Sequence, residues 1–158
     1  MMNVLETTLP GLATSLVIAV VTSLLTVRLA LQRFRRERWW DRKAESYSRI
    51  VEALHGLVDF YEVSFDDHIS HRERNEDQEA KMEAEFEQHR REVRKATGIG
   101  AFIISEKIAK VLSSLEKESH KNRREAQSSF EWYDSQTATF RKALLEVRRL
   151  AKEDLEVK

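Results

Sequence analysis

The side chains that could carry chemistry in this 158-residue chain are five histidines and a dense supply of carboxylates. His68 and His71 stand one helical turn apart, with Glu62, Asp66 and Asp67 nearby. Two imidazoles at that spacing hold a metal only if further ligands converge. A solvated, charged helix end is the preferred reading. Glu52-Ala53-Leu54-His55 has the Glu-x-x-His spacing of di-iron bundles, but such bundles need two of these motifs and two more inward glutamates. The chain has no second one. His89 falls on an apolar helix seam and reads as a core or boundary residue, and His120 falls in a polar stretch. There is no cysteine, hence no thiol chemistry and no disulfide framework. Gly-rich phosphate loops, nucleophile elbows and kinase signatures are missing too. The expectation is a protein that is not an enzyme and has no cofactor.

The element that organises the rest is Thr7 to Val27, which is 21 consecutive uncharged residues. About 20 mostly apolar residues cross a hydrocarbon core of roughly 30 Å. The expected span is residues 9–31, with Arg28 snorkelling to the interface and residues 1–8 as a short tail. A signal peptide would carry its basic residues ahead of the apolar run. Here Glu6 is the only charged side chain before Arg28. Behind the run comes a basic collar, residues 32–43, which with Arg28 supplies Arg33, Arg35, Arg36, Arg38, Arg42 and Lys43. Glu37 and Asp41 leave a net charge of +5 over residues 28–43. Flanking positive charge stays cytoplasmic, so the N-terminus is expected outside and residues 44–158 inside. Juxtamembrane basic residues also attract anionic lipid, at about 1 kcal/mol each. Gly11, Ser15, Ala19 and Ser23 recur every fourth residue within the span. Small residues on one face let two helices approach closely, so this stripe is expected to support self-association.

Charged residues make up 34% of the chain, against four glycines and one proline, a balance that favours long solvated helices. Residues 44–158 carry 20 basic against 24 acidic side chains. That mild acidity argues against a nucleic-acid partner. A heptad-like seam runs through Trp40, Tyr47, Leu54 and Tyr61, interleaved by Ala44, Val51, Val58 and Phe65, and it predicts a first helix ending near residues 68–74. Trp39 sits on the shoulder of the seam. Gly56 lies inside it at a cost of about 1 kcal/mol. A second helix is expected over residues 76–96, capped by Asn75, with its stripe at Met82, Phe86, His89, Val93 and Ala96. Residues 99–104 read as a buried connection, Ser105 as the cap of a third helix, residues 118–126 as a polar loop containing Lys121, Arg123 and Arg124, and Ser128 or Ser129 as the start of a fourth helix. The expected fold is all-α: a transmembrane helix continuing into an antiparallel four-helix bundle. Pairing of the long first helix with a second copy is the alternative architecture.

Three stretches carry a likeness: Arg38-Trp39-Trp40-Asp41-Arg42-Lys43-Ala44-Glu45-Ser46-Tyr47, Gly100-Ala101-Phe102-Ile103-Ile104-Ser105-Glu106 and Ala151-Lys152-Glu153-Asp154-Leu155. Together they resemble a group of small bacterial single-span membrane proteins. The resemblance implies a bacterial inner-membrane setting and no known activity. The functional expectation is a homo-oligomeric scaffold or adaptor that meets an unknown protein partner at the cytoplasmic face of the membrane. A membrane-active effector whose spans self-assemble is the alternative, and a metal-binding bundle is the third.

Overall fold

A computed structural model describes residues 3–72, 74–98 and 102–156, with side chains from Ala19 onward. Among the described residues there are four helices and no strand: α1 Asn3–Ser70, α2 Glu76–Gly98, α3 Glu106–Glu125 and α4 Ser129–Glu156. Two compact units divide the chain, Met1–Asp41 and Arg42–Lys158.

In the first unit every described side chain is exposed. Its ordered interactions are local to the helix. The Thr26 hydroxyl donates to the Thr22 carbonyl at 2.8 Å, Arg33 pairs with Glu37 at 2.9 Å, and the Arg38 guanidinium lies 4.8 Å from the centre of the Phe34 ring. Among the described residues no helix is long and apolar enough to cross a membrane. Residues 9–18 of the expected span lie outside the residues whose side chains are described.

The second unit is an antiparallel four-helix bundle. Phe60 of α1 meets Phe86 of α2 with ring centres 4.1 Å apart, and Tyr61 of α1 meets Phe140 of α4 at 5.1 Å. The Gln136 amide of α4 donates to the Ser119 carbonyl of α3 at 3.0 Å. The face that α1 buries is Tyr47, Ile50, Leu54, Leu57, Tyr61 and Ser64, alternating steps of three and four as a helix-packing stripe requires. Leu54, Ile108, Leu112 and Val147 are wholly enclosed at 0% exposure and mark the centre of the core. Gly56 is half-buried on the row beside this stripe. A methyl group there would run into the His89 ring of α2, so the helix-propensity cost of glycine accompanies a close approach of the two helices.

Capping explains most helix ends. Asn75 accepts from the Gln78 N–H at 2.8 Å and Ser105 from the Ile108 N–H at 3.4 Å, each satisfying an orphan donor of the first turn. Ser128 accepts from the Glu131 N–H at 3.1 Å while Glu131 reaches back to the Gln127 N–H at 2.9 Å. α1 stops at a left-handed residue, His71, with φ of 50°. The Arg72 N–H then bonds back to the Asp67 carbonyl at 3.0 Å, the six-to-one bond of a Schellman motif.

Three expectations need correction. Residues 118–125 are helical, not a loop. Asn122 ties this polar segment to α4 through the Ser135 carbonyl at 3.3 Å and the Thr139 hydroxyl at 2.9 Å, so anchorage rather than apolar content holds the helix. The apolar connection before α3 is not buried throughout: Ile104 is buried but Phe102 is 85% exposed, and residues 99–101 lie outside the described residues. Trp40 is not a packed seam residue but is 42% exposed, as Trp39 is at 49%.

Candidate functional site

The two ends of the bundle hold its unusual chemistry. At the end where the chain enters at Arg42, the Tyr47 hydroxyl accepts from the Ser105 N–H at 3.0 Å and donates to the Asp154 carboxylate. The Lys43 ammonium closes the group 2.6 Å from Asp154. One phenol thus joins α1 to the start of α3 and the end of α4. Burial, and then the bond to Asp154, pushes the Tyr47 pKa up to about 12. Burial alone would raise the pKa of Asp154, but the bonds from Lys43 and Tyr47 outweigh it and hold the carboxyl below its ordinary range.

At the opposite end a cavity of about 980 Å³ opens among all four helices. That is at the upper end of the range for ligand pockets. Its aromatic wall is Phe60, Tyr61, Phe86, Trp132, Tyr133 and Phe140. Tyr61 stands at the centre of this group, with Phe86, Trp132 and Phe140 rings 5.7, 5.9 and 5.1 Å away. Burial pushes its pKa up to about 12, against the opposing pull of Arg90 and Arg123. Two buried polar atoms of α4, the Trp132 indole Nε1 and the Gln136 Oε1, have no hydrogen-bond partner among the described residues. They stand one turn apart. Buried polar atoms are nearly always paired, so this pair sets the cavity end apart from the Tyr47 end.

The histidines are spread over the cavity wall, a helix cap and two helix faces. His68, His71 and His120 all line the cavity, yet among the described residues no three His, Asp or Glu side chains are placed to hold a metal ion. His71 serves as the left-handed cap of α1. His55 pairs with Asp59 at 3.2 Å on the exposed face of α1, and His89 fills the space left by Gly56.

The remaining expected positions fall as follows. Gly11 and Ser15 lie outside the described side chains, while Ala19 and Ser23 are exposed. Of the collar, Arg28, Arg33, Arg35, Arg36, Arg38 and Arg42 are exposed, whereas Lys43 is held against Asp154 inside the bundle unit. Of the seam, Tyr47, Leu54, Val58 and Tyr61 are buried, and Val51 and Phe65 are half-buried at its edge. Sequence reasoning missed Ile50 and Leu57, the other half of the α1 stripe, and the Tyr47–Asp154 contact. It also missed the cavity, although Trp132, Tyr133 and Gln136 on one short stretch of helix were a signal.

Together these features define an all-α bundle whose polar groups are engaged in joining helices and lining a cavity. No family model matches the chain, and neither a curated protein nor a solved structure does. The likeness carried by residues 38–47, 100–106 and 151–155 therefore stands on the sequence alone.

Proposed function

We propose that this chain is a membrane-anchored helical adaptor. Residues 9–31 cross the bacterial inner membrane with the N-terminus outside. The collar binds anionic headgroups, and the homo-oligomeric bundle meets a protein partner in the cytoplasm. The observation that carries the reading is the apolar surface of the first unit. Val20, Val21, Leu24, Leu25, Val27, Leu29 and Leu31 are between 49% and 65% exposed. Burying one such side chain fully is worth about 1.5–3 kcal/mol, and a contiguous patch of this kind calls for a partner surface. A bilayer supplies one to every face of the helix at once, and the arginines that follow suit its headgroup layer.

Alkaline carbonate extraction of membranes from the native host tests the anchor. The full chain is expected to stay in the pellet, and its release into the supernatant would sink the reading. In-cell crosslinking with mass spectrometry tests the adaptor. A recurring foreign protein on the bundle is expected. Self-crosslinks along residues 11–23 without any foreign protein would instead favour a self-assembling, membrane-active effector.

A second reading is favoured by the orphaned Trp132 and Gln136 atoms: the cavity holds a small molecule with an aromatic body. Native mass spectrometry of the purified chain checks it. A reproducible adduct, lost in Trp132→Ala, is expected; a bare mass from every preparation would end it.

A further inference from the structure

The ring cluster of the cavity holds hydrogen-bond donors that nothing in the bundle uses. The Trp132 indole N–H can only donate, and it is buried without a partner among the described residues. Tyr61, 4% exposed, adds a hydroxyl that also has no bonded partner among them. The two rings stand 5.9 Å apart at a right angle, so both donors belong to one cluster. One buried amide acceptor accompanies them. Gln136 is 1% exposed, and its amide N–H is engaged by the Ser119 carbonyl at 3.0 Å, which leaves its Oε1 unmatched.

The charge beside these donors is positive. Among the charged side chains that act on the Tyr61 phenol, Arg90 and Arg123 come before any carboxylate. Arg90 is paired with Glu87 at 3.0 Å. Arg123 is not matched in the same way: Glu125, in its own turn, is held by Lys121 at 3.7 Å. Of the other carboxylates in the wall, Asp67 is held by Arg74, while Glu79 and Glu83 are exposed on α2. Glu116 is half-buried on α3 but lies two turns before Arg123, about 10 Å of backbone away.

From these groups we infer that the cavity takes a small aromatic carboxylic acid. Its ring lies against Tyr61, Phe86, Trp132 and Phe140. Its carboxylate accepts from the Tyr61 O–H, the Trp132 N–H and the Arg123 guanidinium, and a donor on its ring meets Gln136 Oε1. The inference rests on the reading of the cavity as a small-molecule site and gives that molecule a class. A carboxylate has two oxygens and about four acceptor sites, enough for all three donors. Bonds to an ionised acceptor are roughly twice as strong as neutral ones. Aromatic cations are also drawn to ring faces, but here they would meet donors and a guanidinium.

The full chain in lipid nanodiscs is titrated with 4-hydroxyphenylacetate, anthranilate and indole-3-acetate, each beside its primary amide, and with tryptamine. Saturation-transfer NMR against empty nanodiscs reads the binding. At least one acid is expected to bind about tenfold or more tighter than its amide, a difference of about 1.4 kcal/mol. Arg123→Gln, at an exposed position, is expected to bring that pair within about threefold of each other. Acids and amides that bind alike would overturn the carboxylate assignment and leave an aromatic site standing. Tighter binding of tryptamine than of indole-3-acetate would do the same. A preference for acids that survives Arg123→Gln would put the anion elsewhere and overturn the site as drawn. Binding by none of them would overturn the inference, and the native-mass adduct then decides the small-molecule reading by itself.

Discussion

At one end of the bundle Tyr47, Ser105, Lys43 and Asp154 satisfy one another, while at the other Trp132 and Gln136 each leave a buried polar atom without a partner among the described residues. The same helices build both ends, so the contrast comes from which side chains the helix register brings together. Near Tyr47 one phenol stands within reach of a helix N-terminus and a carboxylate. Near Tyr61 the neighbours are rings, which pack edge to face but leave space between them. A satisfied polar cluster fixes one arrangement of its helices. A ring cluster around an open volume tolerates several, and that tolerance is what a binding region uses.

The largest effect should come from cutting into the enclosed layer. Leu54→Ala or Ile108→Ala removes a side chain with 0% exposure and should cost about 2–5 kcal/mol, transfer and cavity terms together. Phe130→Ala, at the cavity end and 46% exposed, should cost less than about 1 kcal/mol. Urea unfolding of the full chain in a membrane mimetic measures both. Equal losses would mean that the cavity end is as tightly packed as the centre of the core, and the looseness ascribed to it would fail.

Matched tyrosine substitutions probe the polar difference directly. Tyr47→Phe keeps the ring but strips the Ser105 N–H of its acceptor and Asp154 of a donor, which should cost about 1–3 kcal/mol. Tyr61→Phe removes a hydroxyl with no bonded partner among the described residues and should stay within about 0.5 kcal/mol. The pH dependence follows from the same groups. Asp154 titrates below its ordinary range when folded, so its contribution is complete above an unfolded pKa of about 4 and fades as pH falls through the lower folded value. Tyr47 and Tyr61 are both raised to about 12. Their contribution is complete below about pH 10, the unfolded value, and is lost as pH rises toward 12. Thermal melts should therefore show an acid loss that Asp154→Asn reduces, with the lowered carboxyls of Glu92, Glu106 and Glu146 supplying a remainder, and that Tyr61→Phe leaves untouched. An acid limb unchanged in Asp154→Asn would place the titrating group elsewhere.

These results bear on what a sequence can reveal. The sevens of the α1 stripe were legible because Tyr47, Leu54 and Tyr61 repeat at helical spacing. Ile50 and Leu57 were overlooked because Val51 and Val58 offer an equally apolar neighbouring row, and only the packed partners decide between two such rows. Asn75, Ser105 and Ser128 were readable as caps since capping is a local matter. The helical stretch 118–125 was not, because its anchorage depends on Ser135 and Thr139 of another helix. The cavity was hard to read for the same reason: an empty volume belongs to four helices at once, and Trp132, Tyr133 and Gln136 of α4 signal only one of its walls.

A further small effect concerns His71, which closes α1 at the cavity end with φ of 50°. A side chain in the left-handed region carries a penalty of roughly 1–2 kcal/mol that glycine escapes, while glycine adds about 0.5–1 kcal/mol of chain entropy to be lost on folding. His71→Gly should therefore stabilise the chain by less than about 1 kcal/mol, and His71→Ala, which keeps the penalty and loses the imidazole, should not stabilise it. Urea midpoints with unchanged slopes would show this. If His71→Gly instead destabilised the chain, the imidazole would be contributing to the cavity wall beyond its place in the cap, and the cavity end would be more firmly built than its unpaired polar atoms indicate.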